Sequence, residues 1–236
     1  MFHEIAHFVR HAPATLALKR RTTQAELYET IISRVDEAGM DEHRAALGRG
    51  LRGRVLEIGA GTGAMFRHYG PDVDLVALEP DASFLELARP KAKSAACRVE
   101  LVAGSAEQMP FADASFDGVV VALVMCSVPD IGRALAEIAR VLRPHAPIRL
   151  IEHVKSPHAI AGALMSLFDP VWVALNGQGC HMNRDTETEL LRAHVVLDDV
   201  RAFQVFASGL PAFPMRRIEA HVAENEASAT PATPPA

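Results

Sequence analysis

A short apolar strand followed at once by closely spaced glycines is the feature that most restricts the fold of this chain. Residues 54–58 read Arg-Val-Leu-Glu-Ile, and Gly59, Gly61 and Gly63 follow them. Glycine allows a backbone to turn tightly and to approach a ligand where any Cβ would collide with it. The pattern therefore predicts a strand, a turn that binds a nucleotide-type ligand, and a following helix.

Further apolar runs of strand length alternate with helical segments along the chain. Five strands are predicted at 54–58, 74–78, 98–102, 118–124 and 148–151, and two more at 200–206 and 217–222. One helix begins at Asp130 and places Ile131, Leu135 and Ile138 on one face. This alternation predicts an α/β fold, with a doubly wound, mostly parallel sheet of seven strands that ends in a C-terminal antiparallel hairpin.

Other segments flank or interrupt this alternation. Residues 1–50 are predicted to be a helical lead-in, with a capping-box pattern that begins at Thr23. Residues 51–222 form the main domain, interrupted at about 156–185 by an apolar insertion that we interpret as a lid. Residues 223–236 lack large apolar side chains and are rich in Ala, Thr and Pro, which predicts a disordered tail.

Charge and cysteine usage restrict the partners. The formal net charge of -5 leaves no excess of basic residues to neutralise phosphates, so we expect a small molecule and no nucleic acid. The three cysteines are far apart, and the side chains of the adjacent Cys180 and His181 diverge, so we expect neither a disulfide framework nor a metal site. With no signal peptide or membrane-spanning stretch visible, a soluble, cytoplasmic protein is expected, and its oligomeric state stays open.

Acidic and small residues narrow the ligand of the glycine turn. Gly59, Gly61 and Ala64 also fit the dinucleotide pattern G-x-G-x-x-G/A, so they do not separate a nicotinamide enzyme from a methyltransferase. The third glycine, Gly63, and the acid Glu57 favour S-adenosylmethionine. A carboxylate at that position would attract the ammonium and sulfonium groups of this donor and repel a pyrophosphate.

Two later segments complete the predicted donor site. Glu79 ends the second strand twenty residues after the first glycine, where an acid accepts hydrogen bonds from ribose hydroxyls. The loop at 104–111 is expected to form the adenine pocket. The predicted cofactor-binding residues are Glu57, Gly59, Ala60, Gly61, Gly63, Glu79, Pro80, Ser105, Ala106, Glu107 and Leu123.

These motifs support a family resemblance. Residues 55–63, 104–117 and 141–144 resemble the class I methyltransferases of small molecules (methyltransferase type 11), of the ubiquinone-biosynthesis type. This resemblance implies a Rossmann-like fold and S-adenosylmethionine as the cofactor.

A narrower resemblance extends over 53–222, to the methyltransferase-like thiol S-methyltransferases. It rests on residues 123–128, 152–154, 169–172, 179–180 and 184. The chain has Asn183 and Asp185 where that family has Thr and Glu, and residues 1–21 do not reproduce the apolar membrane anchor of the animal members. The resemblance implies a thiol acceptor without determining which one.

The candidate catalytic residues follow the fourth and fifth strands. Ligands of open α/β sheets lie beyond the carboxyl ends of the strands, which places Cys126, Glu152 and His153 at the acceptor. His153 is the candidate general base, with Glu152 as its neighbour, whereas a structural role for His153 and a packing role for Cys126 are the alternatives. A thiol with a pKa of about 8.5 needs less help from a base than a phenol near 10.

The sequence therefore predicts methyl transfer from S-adenosylmethionine to a small, lipophilic acceptor, with a thiol favoured. The alternatives are an N-, O- or C-methyltransferase of a lipid, quinone or secondary metabolite, an NAD-dependent oxidoreductase, and a non-catalytic cofactor-binding protein. No Tyr-x-x-x-Lys pair supports the oxidoreductase. Residues 159–175 are apolar, and they fit core packing, an acceptor pocket or a peripheral membrane contact equally well.

Overall fold

The computed structural model describes residues 23–207 and 213–223. The first 22 residues of the predicted lead-in and the predicted tail from residue 224 onward lie outside the described residues.

The described part of the lead-in is helical. It consists of α1 (Gln24–Val35), a π-helical turn (Asp36–Met40) and α2 (Asp41–Gly48). The predicted capping box is present, because the Thr23 hydroxyl accepts the Glu26 N–H while the Glu26 carboxylate accepts the Thr23 N–H. Gly39, with φ of 115°, redirects the chain between the two helices.

Within the described residues, seven strands form one sheet, which confirms the predicted fold class. The order across the sheet is β3-β2-β1-β4-β5-β7-β6. Strands β1 to β5 pair in parallel, whereas β7 is antiparallel to both β5 and β6. The strands are β1 (Gly53–Ile58), β2 (Val73–Glu79), β3 (Arg98–Ala103), β4 (Gly118–Ala122), β5 (Ile148–His153), β6 (Val195–Gln204) and β7 (Pro214–Val222).

Helices cover the sheet, and aspartates begin three of them. Asp81, Asp130 and Asp185 are the N-caps of α3, α4 and α6, and each side chain accepts a backbone N–H of the first turn. The helices are α3 (Ala82–Ser94), α4 (Ile131–Val141), α5 (Ala159–Asn176) and α6 (Thr186–Arg192), with a short 3-10 helix at Phe66–His68. The apolar face predicted for α4 is buried against the sheet.

Each face of the sheet has its own apolar core. Successive residues of a strand point to opposite faces, so Leu56 packs in one core together with α4. Its neighbour Val55 packs in the other core, with Leu47 of α2. Because both faces are covered, most residues of the central strands are apolar, and several acidic side chains, among them Glu57, Glu79 and Glu152, lie near the carboxyl ends of the strands.

The predicted lid contains a helix that continues through a proline. An Asp-Pro pair ordinarily ends a helix, yet α5 runs unbroken through Asp169 and Pro170 for 18 residues. A proline inside a helix costs about 3 kcal/mol, and the side chains of Asp169 and Trp172 supply tertiary contacts that help to hold the helix.

One face of α5 exposes apolar side chains to solvent. Ile160, Leu164, Leu167, Phe168 and Val171 are all exposed and follow the spacing of a single helical face. Among the described residues, no helix combines the length and apolar character needed to cross a membrane. The peripheral membrane contact at 159–175 stays a prediction.

Candidate functional site

A cavity of about 700 Å³ opens beyond the carboxyl ends of the central parallel strands. It is lined by residues at or just after the carboxyl ends of β1 to β5, by α1, and by the end of α5 with the loop after it. In open α/β sheets this edge is where ligands bind. Of the predicted site residues, those that line the cavity are Gly59, Gly61, Glu79, Pro80, Ser105, Ala106, Glu107, Leu123, Cys126 and His153.

The glycine turn forms one wall of the cavity and has no room for side chains. Gly59 and Gly61 have φ of 64° and 55°, a region that residues with a Cβ rarely adopt. A Cβ at Gly59 would lie 2.4 Å from the Val124 side chain, and one at Gly61 would lie 3.3 Å from the Tyr28 ring. The exposed backbone of this turn is the cradle that a bound cofactor requires.

Two residues of the turn that are predicted to contact the cofactor, Ala60 and Gly63, do not line the cavity. Gly63 also has a positive φ, of 79°, and a Cβ there would lie 2.6 Å from the Phe66 ring. These residues set the course of the turn, so a contribution to cofactor binding would be indirect.

Glu79 joins the turn to the end of β2. One carboxylate oxygen accepts the Gly61 N–H at 2.9 Å, and the other accepts the Asp81 N–H at 3.1 Å. Burial raises the pKa of Glu79. A carboxylate has about four acceptor positions, so each oxygen keeps one for a hydroxyl group in the cavity. The free acceptor positions of Glu79 therefore fit the two ribose hydroxyls of S-adenosylmethionine.

Glu57 lies beneath the turn and not on the cavity wall. Its side chain is buried, and one carboxylate oxygen has no hydrogen-bond partner among the described residues. Burial raises the pKa of Glu57 to about 8. The predicted attraction between this carboxylate and the cationic groups of the donor stays a prediction.

The predicted adenine loop and Leu123 line the part of the cavity that is predicted to hold the methyl donor. The Ser105 hydroxyl donates a hydrogen bond to the Glu107 carboxylate, which closes a tight turn around the buried Ala106. Leu123 has φ of 65°, and its N–H donates to the Ile151 carbonyl at 2.7 Å. This strained backbone position turns the chain away from β4 and leaves its side chain on the cavity.

Helix α1 is a wall of the cavity that sequence reasoning did not assign to the site. Gln24, Tyr28 and Ile31 line the cavity, and the Gln24 amide donates to the Gly177 carbonyl beyond α5. The capping-box pattern at Thr23 predicted that a helix begins here. That pattern carries no information on which surface the helix covers.

Glu152 holds the loop that carries Cys126. One carboxylate oxygen accepts the N–H groups of Val124 and Met125, both at 2.9 Å, and the other accepts the Cys126 N–H at 3.4 Å. Glu152 is fully buried, and burial raises its pKa to about 7. It does not line the cavity, so among the catalytic candidates it is placed to position the loop.

The sulfur atom of Cys180, from a distant segment of the chain, meets His153 at the end of the cavity where the acceptor is predicted to bind. The Nε2 of His153 lies 2.8 Å from the Sγ of Cys180, and Cys126 completes the cluster. Contact with the Cys126 thiol, and then with His153, holds the pKa of Cys180 well below its usual range. The three reactive groups therefore share one corner of the cavity.

Helix α5 positions Cys180 through two polar side chains. The Asn176 amide donates to the Cys180 carbonyl at 2.8 Å and accepts the Cys180 N–H at 3.2 Å. Asp169 accepts the Met182 N–H and a ring hydrogen bond of His181, both at 2.7 Å. The His181 N–H also donates to the Cys126 carbonyl, which joins the two cysteine segments. Sequence reasoning considered Cys180 only with its neighbour and therefore missed this cluster.

Aromatic side chains form the remaining wall beside the cluster. The Trp172 and Phe213 rings meet edge to face with centroids 5.3 Å apart, and His153 lies 5.2 Å from Phe213. All three line the cavity, together with Met215. This end of the cavity is suited to an apolar molecule with one polar or soft reactive atom.

Comparisons with known proteins agree with this geometry. Residues 56–149 match the protein family described as "Methyltransferase domain". The chain is 36% identical over 150 residues to the human thiol S-methyltransferase TMT1B, covering 61% of this chain and 61% of that protein. It is 32% identical over 146 residues to the demethylmenaquinone methyltransferase of Deinococcus radiodurans, covering 58% of this chain and 61% of that protein. The chain thus spans about three fifths of the length of both relatives.

A solved structure shows the same fold. The S-adenosylmethionine-dependent methyltransferase of Thermotoga maritima aligns with a TM-score of 0.58 at 22% identity, covering 93% of this chain and 99% of that one. Residues 56–149 thus match a methyltransferase domain, and the chain has the fold of a solved S-adenosylmethionine-dependent methyltransferase.

Proposed function

We propose that this protein transfers a methyl group from S-adenosylmethionine to a small, lipophilic acceptor, and that the acceptor is a thiol. The observation that carries the proposal is a single cavity with two chemically different ends. The glycine turn and Glu79 form the end suited to the donor. Cys126, His153 and the aromatic wall form the end suited to the acceptor.

Methyl transfer needs alignment more than it needs reactive side chains. The sulfonium of the bound donor supplies an activated methyl group. The chain contributes by holding donor and acceptor in line, which converts a bimolecular reaction into an effectively unimolecular one. Gly59 and Gly61 admit the donor, and Trp172 and Phe213 exclude water from the acceptor.

A thiol acceptor fits the groups that surround it. A thiol reacts as its thiolate, and a neighbouring imidazole favours that form. Beside the aromatic wall, His153 is a group that can accept the proton of an acceptor. One similar protein is named a thiol S-methyltransferase, which supports this acceptor.

A quinone carbon is the second candidate acceptor, since another similar protein is a demethylmenaquinone methyltransferase. The apolar wall would also accommodate a quinone ring. The reduced ring carries ionisable phenols with pKa values near 10, so His153 would be needed as a base more than for a thiol. A quinone acceptor therefore predicts a larger loss of methylation rate on replacement of His153 than a thiol acceptor does.

Two measurements test the proposal. Isothermal titration with S-adenosylmethionine and with its demethylated product should show one site for each, and failure of both to bind would contradict the donor. A panel of alkyl thiols, aryl thiols, phenols, amines and reduced quinones, assayed with the full chain, should show turnover of the thiols. Turnover of a quinone or phenol with inert thiols would replace the thiol by that acceptor.

A further inference from the structure

Three potential metal ligands from separate parts of the chain converge at the acceptor end of the cavity. We propose that Cys126, His153 and Cys180 bind a zinc ion whose fourth coordination position faces the cavity and takes the sulfur of the acceptor. The role given to the acceptor rests on the proposed function, whereas the metal site does not. With zinc bound, His153 is a ligand of the ion and does not act as the base, so the metal takes over the activation of the acceptor thiol.

The distances fit a tetrahedral ion after a small adjustment. The two sulfur atoms and the imidazole nitrogen all lie within 4.8 Å of one another. With Zn–S near 2.3 Å and Zn–N near 2.0–2.1 Å, two ligands of a tetrahedral zinc are about 3.5–3.8 Å apart. His153 Nε2 and Cys180 Sγ are 2.8 Å apart, so they would separate by less than about 1 Å to admit the ion.

The ligand set is one that zinc uses where it leaves a position open. Two cysteines and one histidine provide three protein ligands, and the fourth position is left for water or substrate. Cys126 and His153 are buried, and Cys180 is half-buried. All three line the cavity, so a ligand in the open position would lie inside it.

Each ligand is held by its own polar support. The Cys126 loop is fixed by the Glu152 carboxylate, and Cys180 is fixed on both sides of its backbone by Asn176. His153 ends β5, which pairs with β7 on one side and β4 on the other. Ligands held on three rigid segments form a binding site without a large rearrangement of the chain.

A zinc ion bound by these three residues would fix the position of the acceptor sulfur. When the acceptor sulfur binds, its S–H bond breaks and the proton passes to water at the mouth of the cavity. A lone pair on that sulfur then forms a bond to the methyl carbon, and the bond from that carbon to the donor sulfonium breaks. The electron pair of that broken bond remains on the donor sulfur, which yields S-adenosylhomocysteine and the methyl thioether.

Metal stoichiometry tests the site directly. The full chain is incubated with Zn²⁺, dialysed against metal-free buffer, and analysed for bound zinc by mass spectrometry. We expect one zinc per chain, lost in Cys126→Ser and Cys180→Ser. Cys97→Ala is the matched control, since Cys97 is buried in a core away from the cluster and should leave the stoichiometry unchanged. Zinc that is absent from the wild type, or retained by both serine variants, overturns the site.

Cobalt provides a second readout that does not depend on the folding of the variants. Co²⁺ added to the wild-type chain should give the absorption of cobalt bound to thiolates in tetrahedral geometry. The same titration with Cys97→Ala should give the same spectrum. A spectrum of octahedral cobalt without thiolate bands would overturn the proposed ligand set.

Measurements of donor binding and thiol methylation, with and without zinc, test the role of the metal separately from the proposed function. Donor binding, measured by calorimetry, should be the same with and without zinc, whereas methylation of a thiol should fall at least tenfold when zinc is removed. Equal thiol turnover without zinc would overturn its role at the acceptor and leave the proposed function standing. Bound zinc with no thiol turnover would overturn the thiol acceptor and leave the metal site standing.

Discussion

The imidazole Nε2 of His153 lies 2.8 Å from the sulfur of Cys180, although 27 residues separate them in the chain. The contact exists because β5 ends at the cavity and because α5 returns the chain to the same edge of the sheet. It places a nitrogen base and a sulfur atom together at the proposed acceptor end of the cavity. The function of His153 can be tested separately from that of the donor end.

Replacement of His153 by alanine should slow methyl transfer and spare donor binding. The side chain lies at the acceptor end, and loss of a positioned base costs roughly 100-fold or more in rate. Single-turnover rates and calorimetry with S-adenosylmethionine measure the two effects. His158→Ala, an exposed histidine at the start of α5, should change neither. Loss of donor binding in His153→Ala would contradict the place assigned to it.

Replacement of Gly61 by valine should abolish donor binding. A Cβ at this position would press on the Tyr28 ring at 3.3 Å, and φ of 55° is strained for a branched residue by about 1–3 kcal/mol. Gly70→Ala is the control, since a Cβ there meets no atom within 4 Å. Calorimetry with S-adenosylhomocysteine measures the result. Unchanged affinity in a folded Gly61→Val protein would show that this turn does not hold the cofactor.

Replacement of Glu79 by glutamine should weaken donor binding by roughly 10- to 100-fold. Hydrogen bonds to a charged group contribute about 1.5–3 kcal/mol, and about 1.4 kcal/mol corresponds to tenfold in affinity. The amide keeps the shape of the side chain but replaces one acceptor oxygen by a donor. Glu86→Gln, on the exposed side of α3, is the matched control. Equal affinity of Glu79→Gln and wild type would exclude a contact between Glu79 and the donor.

Glu57 should make the cofactor-free protein less stable as the pH rises. Its pKa is about 8 in the folded state, raised by burial, against an ordinary value of 4.5. Between these two values the unfolded chain releases this proton while the folded chain keeps it. The free energy of unfolding therefore falls by up to about 1.4 kcal/mol per pH unit in that window.

The Glu57→Gln variant isolates this effect, because an amide does not titrate. Urea unfolding between pH 5 and 8 should show a flatter dependence on pH in the variant than in the wild type. Tyr69, Arg44 and Glu79 also act on the pKa of Glu57 and are present in both proteins, so the difference between the two curves reports on Glu57. Parallel curves would show that Glu57 ionises normally in the folded state.

The exposed apolar face of α5 should bind the chain to lipid vesicles. Leu167 and Phe168 are 70% and 56% exposed, and burial of one such side chain contributes about 1.5–3 kcal/mol. The double variant Leu167→Glu, Phe168→Glu should lose co-flotation with phosphatidylcholine vesicles. Leu191→Glu, at a 58% exposed position on α6, is the control and should still float. Wild-type protein that stays in the soluble fraction would contradict the membrane contact.

Much of the fold follows from local patterns in the sequence. The alternation of apolar runs and helical segments predicted the seven strands, and the position of Asp130 predicted the start of α4. The strand β6 begins at Val195, earlier than the apolar pattern indicated. The pairing of β6 with β7 explains this difference, since the antiparallel ladder begins at Val195 and extends the strand beyond its predicted start.

The donor end was predictable for the same reason. Gly59, Gly61 and Glu79 lie on one strand-turn segment and on the next strand, so their spacing along the chain reflects their spacing in the fold. A turn that requires positive φ can be recognised from glycine alone. By itself, the sequence therefore determined the class of fold, and it predicted which residues would admit the cofactor at the carboxyl edge of the sheet.

Only the tertiary structure decided the acceptor end. Cys126, His153 and Cys180 come from three segments, and nothing in their spacing shows that α5 continues through Pro170 and returns Cys180 to the cavity. The bonds that fix this geometry, from Asn176 and Glu152 to backbone groups, depend on how the segments pack. A local sequence pattern indicates turns and helices, whereas the packing of the whole domain determines which distant side chains come into contact.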